Sequence, residues 1–83
     1  MDTLAGKSKA VIETYLVDHY GLLLTQAQLA KFLGRSVKGL RYSLSRPSDA
    51  RIRAIKASGR RLGREVRYPA NEIAEIIDSA TDT

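Results

Sequence analysis

The sequence predicts one domain over residues 1–83, mainly α-helical with a small β-hairpin. Along most of the chain, apolar residues recur three and four positions apart, which is the spacing of an amphipathic helix. Around Gly63 they alternate instead, as they do in paired strands. A chain of 83 residues with 43% hydrophobic residues has enough apolar material for one modest core.

The first predicted helix runs from Lys7 to Tyr20, where apolar side chains such as Ile12 and Leu16 recur at helical spacing. Gly21 follows it as a candidate C-cap. We expect residues Met1–Gly6 to be irregular and the helix to pack on the core.

A pair of short helices is predicted next. Thr25 is a candidate N-cap, and Gln28 three positions later completes a capping-box pattern. The helix Gln26–Leu33 then ends at Gly34, since glycine tolerates the positive φ that a tight turn requires.

Ser36 is a second candidate N-cap and opens a helix over Val37–Ser45, which Pro47 closes. Ala30 is small where the two helices would cross, and Leu40 would anchor the second helix to the core. Residues 25–45 therefore have the pattern of two helices that cross through a tight turn.

Ser48 is the candidate cap of a third short helix, which continues through Ala57 and ends at Gly59. Residues 60–68 then alternate about Gly63 and predict a tight hairpin.

Pro69 introduces the last predicted helix, over Ala70–Ser79, with apolar residues on one side and acidic residues on the other. We expect the tail Ala80–Thr83 to be loose.

Positive charge is concentrated in the middle of the chain. Residues 31–67 contain 12 of the 14 Lys and Arg and only two acids, Asp49 and Glu65. This segment has a net charge of +10, the rest of the chain −5, and the whole +5. Such an asymmetric field attracts polyanions, and nine of the 12 basic residues are Arg, which suits bidentate contacts to phosphate or guanine.

Several other classes of protein do not fit the composition. The chain has no cysteine, so it can form neither a disulfide nor a thiolate metal site, and the lone His19 cannot build a zinc site by itself. No catalytic constellation accompanies His19, and we expect no enzymatic activity and no cofactor. The absence of a secretory signal and of a long apolar run favours a cytoplasmic protein of a bacterial or phage-infected cell, without membrane association.

The helix pair and the hairpin together suggest contact with double-stranded DNA. In a helix-turn-helix, the second helix enters the major groove and presents its outward side chains to the bases. An arginine-rich hairpin beside it is typical of a wing that contacts phosphates or a minor groove. The candidate DNA-binding residues on the two elements are Thr25, Gln26, Arg35, Ser36, Lys38, Gly39, Arg41, Tyr42, Arg46, Arg60, Arg61, Arg64 and Arg67.

The stretch LTQAQLAKFLGRSVKGLRYSLSR, followed by GRRLGREVRYPANEIAEII, resembles the small winged-helix proteins of the excisionase and MerR-like groups. The resemblance covers Leu24 to Ile77 and implies a winged helix-turn-helix fold. The linker Pro47–Ser58 is longer than in minimal excisionases. The helix Lys7–Tyr20 is an addition to that pattern and a candidate for dimerisation.

The resemblance implies a recombination directionality factor, a transcriptional regulator of a mobile genetic element, or both, and the sequence does not separate these roles. A homodimer or a cooperative tandem assembly on DNA, and an integrase, are the protein partners to expect. An RNA-binding protein and a protein-interaction module are the alternatives. RNA binding suits the positive charge, but the sequence lacks the exposed aromatic platform that single-stranded RNA favours. A protein-interaction module would use the acidic last helix or the helix Lys7–Tyr20 as its binding surface.

Overall fold

The computed structural model describes the backbone of residues 3–81 and the side chains of residues 9–79. Within this range, five helices and three strands follow one another along the chain. In order, they are α1 (Thr3–Tyr20), β1 (Leu23–Leu24), α2 (Gln26–Leu33), α3 (Val37–Ser45), α4 (Ala50–Ser58), β2 (Arg60–Leu62), β3 (Glu65–Pro69) and α5 (Ala70–Thr81). The predicted class, mainly helical with a small β-structure, is confirmed.

The first helix, α1, is longer than predicted, because it begins at Thr3 rather than at Lys7. The expectation of an irregular start is therefore wrong from Thr3 onward, and residues 1 and 2 lie outside the described part of the chain. At its other end, Gly21 adopts a φ of +98°, and its N–H donates to the carbonyl of Val17 at 2.9 Å. Gly21 thus ends the helix as predicted, and α1 packs most extensively against α5.

The helix pair α2 and α3 has the bounds that its caps predict. The Thr25 hydroxyl accepts from the backbone N–H of Gln28 at 3.1 Å, and the Gln28 side chain accepts from the Thr25 N–H at 3.0 Å. Gly34 ends α2 with a φ of +72°. The Ser36 hydroxyl accepts from the Gly39 N–H at 3.0 Å and caps α3. These local hydrogen bonds fix where each helix begins, so the turn between them is short.

The cap of α4 is Asp49 and not Ser48. The Asp49 carboxylate accepts from the backbone N–H of Ile52 at 2.8 Å, which shifts the start of the helix by one residue. Both residue types cap helices, so sequence alone does not choose between neighbours. Gly59 ends α4 with a φ of −64°, and a Cβ there would lie 2.8 Å from a methyl carbon of Val66. Gly59 is therefore required for close packing against β3.

The sheet has three strands in the order β1-β3-β2, both pairs antiparallel. Leu23 and Leu24, for which the sequence predicted no strand, form β1, and Leu24 pairs with Tyr68. The predicted hairpin is confirmed as β2 and β3, with Leu62 opposite Glu65 across a two-residue turn. Gly63 takes the first turn position with a φ of +67°, as a type II′ turn requires.

The last helix, α5, follows β3 directly and runs to Thr81, two residues beyond its predicted end. The expectation of a loose tail is thus wrong for residues 80 and 81, and residues 82 and 83 lie outside the described part. No helix in the described part of the chain is both long and apolar enough to cross a bilayer.

The core collects apolar side chains from every helix and from the sheet. Its fully buried large members are Leu16, Leu24, Leu29, Leu40, Ile55 and Ile73. Because α2 and α3 each contribute a fully buried leucine, the helix pair is anchored to the body of the protein, and its opposite side is left to solvent.

Candidate nucleic-acid interface

The helix α3 has one buried side and one exposed basic side. Leu40 and Leu44 are buried, and Val37 is half-buried. The residues predicted to face outward from the turn and from α3 are all exposed, namely Arg35, Lys38, Gly39, Arg41 and Tyr42. This confirms the predicted orientation of the helix, because apolar and polar positions separate as the three-and-four spacing requires.

Two exposed arginines, one before α3 and one at its C-terminal end, contact side chains of that helix. The Nη1 of Arg35 donates to the Ser43 hydroxyl at 2.9 Å. The guanidinium of Arg46 lies over the ring of Tyr42, 6.0 Å from its centroid, within the range of a cation–π contact. Both arginines remain exposed, so their free N–H groups face solvent.

Arg41 is connected to the strand β3 through Gln26. The Nε–H of Arg41 donates to the side-chain oxygen of Gln26 at 3.0 Å, and the Gln26 amide nitrogen donates to the hydroxyl of Tyr68 at 3.3 Å. Gln26 is half-buried at the start of α2 and Tyr68 is buried. The three side chains thus form one hydrogen-bonded row from the core to the exposed side of α3.

Two of the predicted contact residues also have structural roles. Thr25 is half-buried, and its hydroxyl and that of Ser36 accept the capping hydrogen bonds of α2 and α3. A Cβ at Gly39 would lie 3.1 Å from the Ser36 hydroxyl oxygen, a tight contact. The cap does not require this glycine, since Gln28 holds the equivalent position in the cap of α2, but the glycine leaves the exposed surface of α3 flat at that position.

The four hairpin arginines fall into two pairs. Arg60 donates to Glu72 at 2.6 Å and to the carbonyl of Ser58 at 2.8 Å, and Arg67 forms an ion pair with Glu65 at 2.7 Å. Arg61 and Arg64 are exposed and make no ion pair within the described part of the chain. Their charge is therefore the more available to an anionic partner.

A groove of about 240 Å³ lies where α2, α3 and the hairpin meet. It is lined by Thr25, Gln26, Arg41, Arg64, Glu65 and Val66. The groove brings together Arg41, from the exposed side of α3, and Arg64, from the turn of the hairpin. Its one acid, Glu65, is engaged by Arg67. Two cationic side chains that lie 23 positions apart in the sequence therefore flank one concave surface.

A larger cavity of about 590 Å³ lies between α4 and α5 and shares no lining residue with this groove. Its walls carry both signs of charge, from Asp49, Arg51 and Glu75. No three metal-ligating side chains come together among residues 9–79.

Sequence reasoning did not find Glu65 and Glu72, which form ion pairs with arginines, or Tyr68, which contacts Gln26. One of them carried a signal: Glu65 and Arg67 are two positions apart in a predicted strand, so their side chains share a face. Tyr68 carried none, because the hydrogen bond from Gln26 joins positions 42 residues apart.

Comparison with known proteins returns no matching family model, no curated relative and no solved structure with significant similarity.

Proposed function

We propose that this chain is a winged helix-turn-helix protein that binds double-stranded DNA, with α3 in the major groove and the β2–β3 hairpin as the wing. One observation carries the proposal. Arg41 on the exposed side of α3 and Arg64 at the hairpin turn flank the same groove. A rigid helix and a hairpin that present cations on one surface complement the alternating grooves and phosphate rows of a duplex.

The dimensions of α3 suit this role. An α-helix with its side chains, such as the nine-residue α3, is about 10–12 Å across. The major groove is about 12 Å wide and admits one helix. Leu40 and Leu44 are buried and anchor α3 to the core. The side chains of Lys38, Arg41 and Tyr42 would therefore enter the major groove of the DNA from a rigid support.

Within this class, the resemblance of residues 24–77 to excisionases supports a recombination directionality factor that acts with an integrase. A transcriptional regulator of a mobile genetic element is the other role that we propose. The footprint distinguishes them, because cooperative tandem binding protects a long continuous stretch of DNA, whereas a dimeric regulator protects two half-sites with a fixed spacing.

The test measures binding of the full chain to a labelled DNA duplex of random sequence by fluorescence anisotropy across a salt series. We expect a Kd on the order of 10⁻⁴ to 10⁻⁶ M near physiological salt and a steep loss of affinity as salt increases. A duplex RNA of matched length serves as the competitor. Equal or tighter binding of the RNA, or no binding of the DNA at low salt, would contradict the proposal.

Charge-matched variants test the location of the interface. The double variant Lys38→Ala/Arg41→Ala removes two cations from α3, and Arg51→Ala/Arg53→Ala removes two exposed cations from α4. We expect the α3 variant to weaken DNA binding by roughly fivefold or more, because each of its two substitutions removes a charged hydrogen bond to the DNA. The α4 variant should have a clearly smaller effect. Equal losses would mean that only net charge matters.

A further inference from the structure

We propose that Arg41 recognises a G·C base pair in the major groove and that Gln26 and Tyr68 are the positioning residues that hold it for this contact. The inference rests on the proposed function and deepens it. It follows from the hydrogen-bonded row that joins the three side chains and from the donors that this row leaves unused.

The row contacts Arg41 through one exposed hydrogen bond and leaves the end of its guanidinium free. Only the Nε–H is used, by the Gln26 oxygen at 3.0 Å. The two terminal nitrogens have no hydrogen-bond or ion-pair partner among the described side chains. These nitrogens form the planar fork that arginine uses for bidentate contacts.

The chemistry of the donors fixes the orientation of the Gln26 amide. Arginine can only donate, so Gln26 must turn its oxygen to Arg41 and its NH₂ group to Tyr68, whose hydroxyl oxygen accepts. Tyr68 is only 3% exposed and lies on the central strand β3. The row therefore begins in the rigid core and ends at the solvent.

The free fork of Arg41 selects its target. In the major groove, guanine presents two adjacent acceptors, O6 and N7, that match two parallel N–H donors. A fork that is already held also loses less side-chain entropy when it binds. Arg35 differs, because one of its terminal nitrogens is already bound to Ser43. Arg41 is thus the better prepared of the two for a bidentate contact.

An acid in the same groove does not cancel this preference. Glu65 lines the groove with Arg41, but its carboxylate is bound by Arg67 at 2.7 Å. The ion pair keeps Glu65 engaged on the hairpin, so the Arg41 fork stays available to the base.

The experiment begins with selection of DNA from a pool of randomised duplexes by the full chain. Each position of the selected motif is then changed singly, and the Kd of each duplex is measured for the wild type and the variants Arg41→Ala, Gln26→Met and Tyr68→Phe. Arg61→Ala is the control, since loss of a phosphate contact from the hairpin should weaken all duplexes to the same extent. Thermal melting of each variant monitors folding.

We expect one G·C pair in the motif whose discrimination depends on Arg41. Arg41→Ala should reduce discrimination at that pair by about 5- to 150-fold, the range for loss of a bidentate contact. Gln26→Met should reduce it by about 2- to 10-fold, because the arginine must then be ordered on binding. Tyr68→Phe should act at the same pair and more weakly, since Gln26 still contacts Arg41.

The outcomes separate this inference from the function. If no duplex is enriched and no duplex binds, the proposed function fails. If the wild type selects a motif but Arg41→Ala leaves every G·C preference intact, Arg41 contacts only phosphate and the inference is overturned. It is also overturned if Gln26→Met leaves discrimination unchanged or weakens all duplexes equally, because the row would then have only a structural role.

Discussion

In the proposed binding to DNA, the two hairpin arginines that form no ion pair among the described residues should account for most of the electrostatic contribution of the hairpin. Replacement of both Arg61 and Arg64 by alanine removes two exposed cations that have no carboxylate partner in the described part of the chain. Each phosphate contact contributes about 0.9 to the slope of log K against log salt concentration. The double variant should therefore have a slope smaller in magnitude by about 1.8.

This change is large enough to measure. Over a fourfold increase in salt, from about 50 to 200 mM, a slope difference of 1.8 corresponds to a roughly 12-fold smaller loss of affinity. Anisotropy titrations of a random-sequence duplex at several salt concentrations give the slope directly. Wild-type and variant titrations share the same duplex, so the DNA contribution cancels.

The matched control removes the other two hairpin arginines. Arg60 is bound to Glu72, and Arg67 is bound to Glu65. If either arginine moved to a phosphate, its ion pair would break and an unpaired carboxylate would remain near the DNA backbone. The control also replaces Glu72 and Glu65 by alanine, so that no carboxylate is released beside Arg41 and Arg64, and the slope should then change by less than half as much. An unchanged slope in the Arg61/Arg64 variant would remove the hairpin from the interface. Equal changes in both variants would show that the ion pairs do not limit binding.

Three further predictions concern the stability of the framework. Leu40→Ala should lower the free energy of unfolding by roughly 2–5 kcal/mol, because Leu40 is 0% exposed; a wild-type urea midpoint would contradict its packing role. Thr25→Ala should cost about 0.5–2 kcal/mol by removing the N-cap of α2, and Thr25→Ser should restore most of it; equal losses in both variants would assign the cost to the methyl group. Gly59→Ala should lower stability by about 1–3 kcal/mol, because the new methyl group would lie 2.8 Å from Val66; a higher melting temperature would show that β3 can move away.

Features fixed by neighbouring residues were predictable from the sequence. The bounds of α2 and α3 are correct because Thr25, Gln28 and Ser36 act within three positions of the N–H groups that they cap. The cap of α4 was placed one residue early, since Ser48 and Asp49 are both good capping types and the choice depends on packing. The exposed side of α3 was predictable for the same local reason, from its apolar spacing.

Features that depend on distant parts of the chain were not predictable. A strand of two residues has no periodicity, and β1 exists only because Leu24 meets Tyr68 across the sheet. The contact between Gln26 and Tyr68 likewise requires the fold to bring α2 against β3. The sequence therefore identified the candidate arginines, and the structure supplied the side chains that hold them.

The direct passage of β3 into α5 determines where this protein can change length. Pro69 ends the strand, Ala70 begins the helix, and the Ala70 N–H donates to the carbonyl of Leu22 at 2.8 Å, so the base of the hairpin has no slack. The turn at residues 63 and 64 is exposed and joins only the free ends of β2 and β3. An insertion of two residues into each strand at this end would move the tip outward by about 7 Å while the core stays unchanged. The hairpin turn is thus the place where the distance between Arg64 and Arg41 can be changed without altering the core.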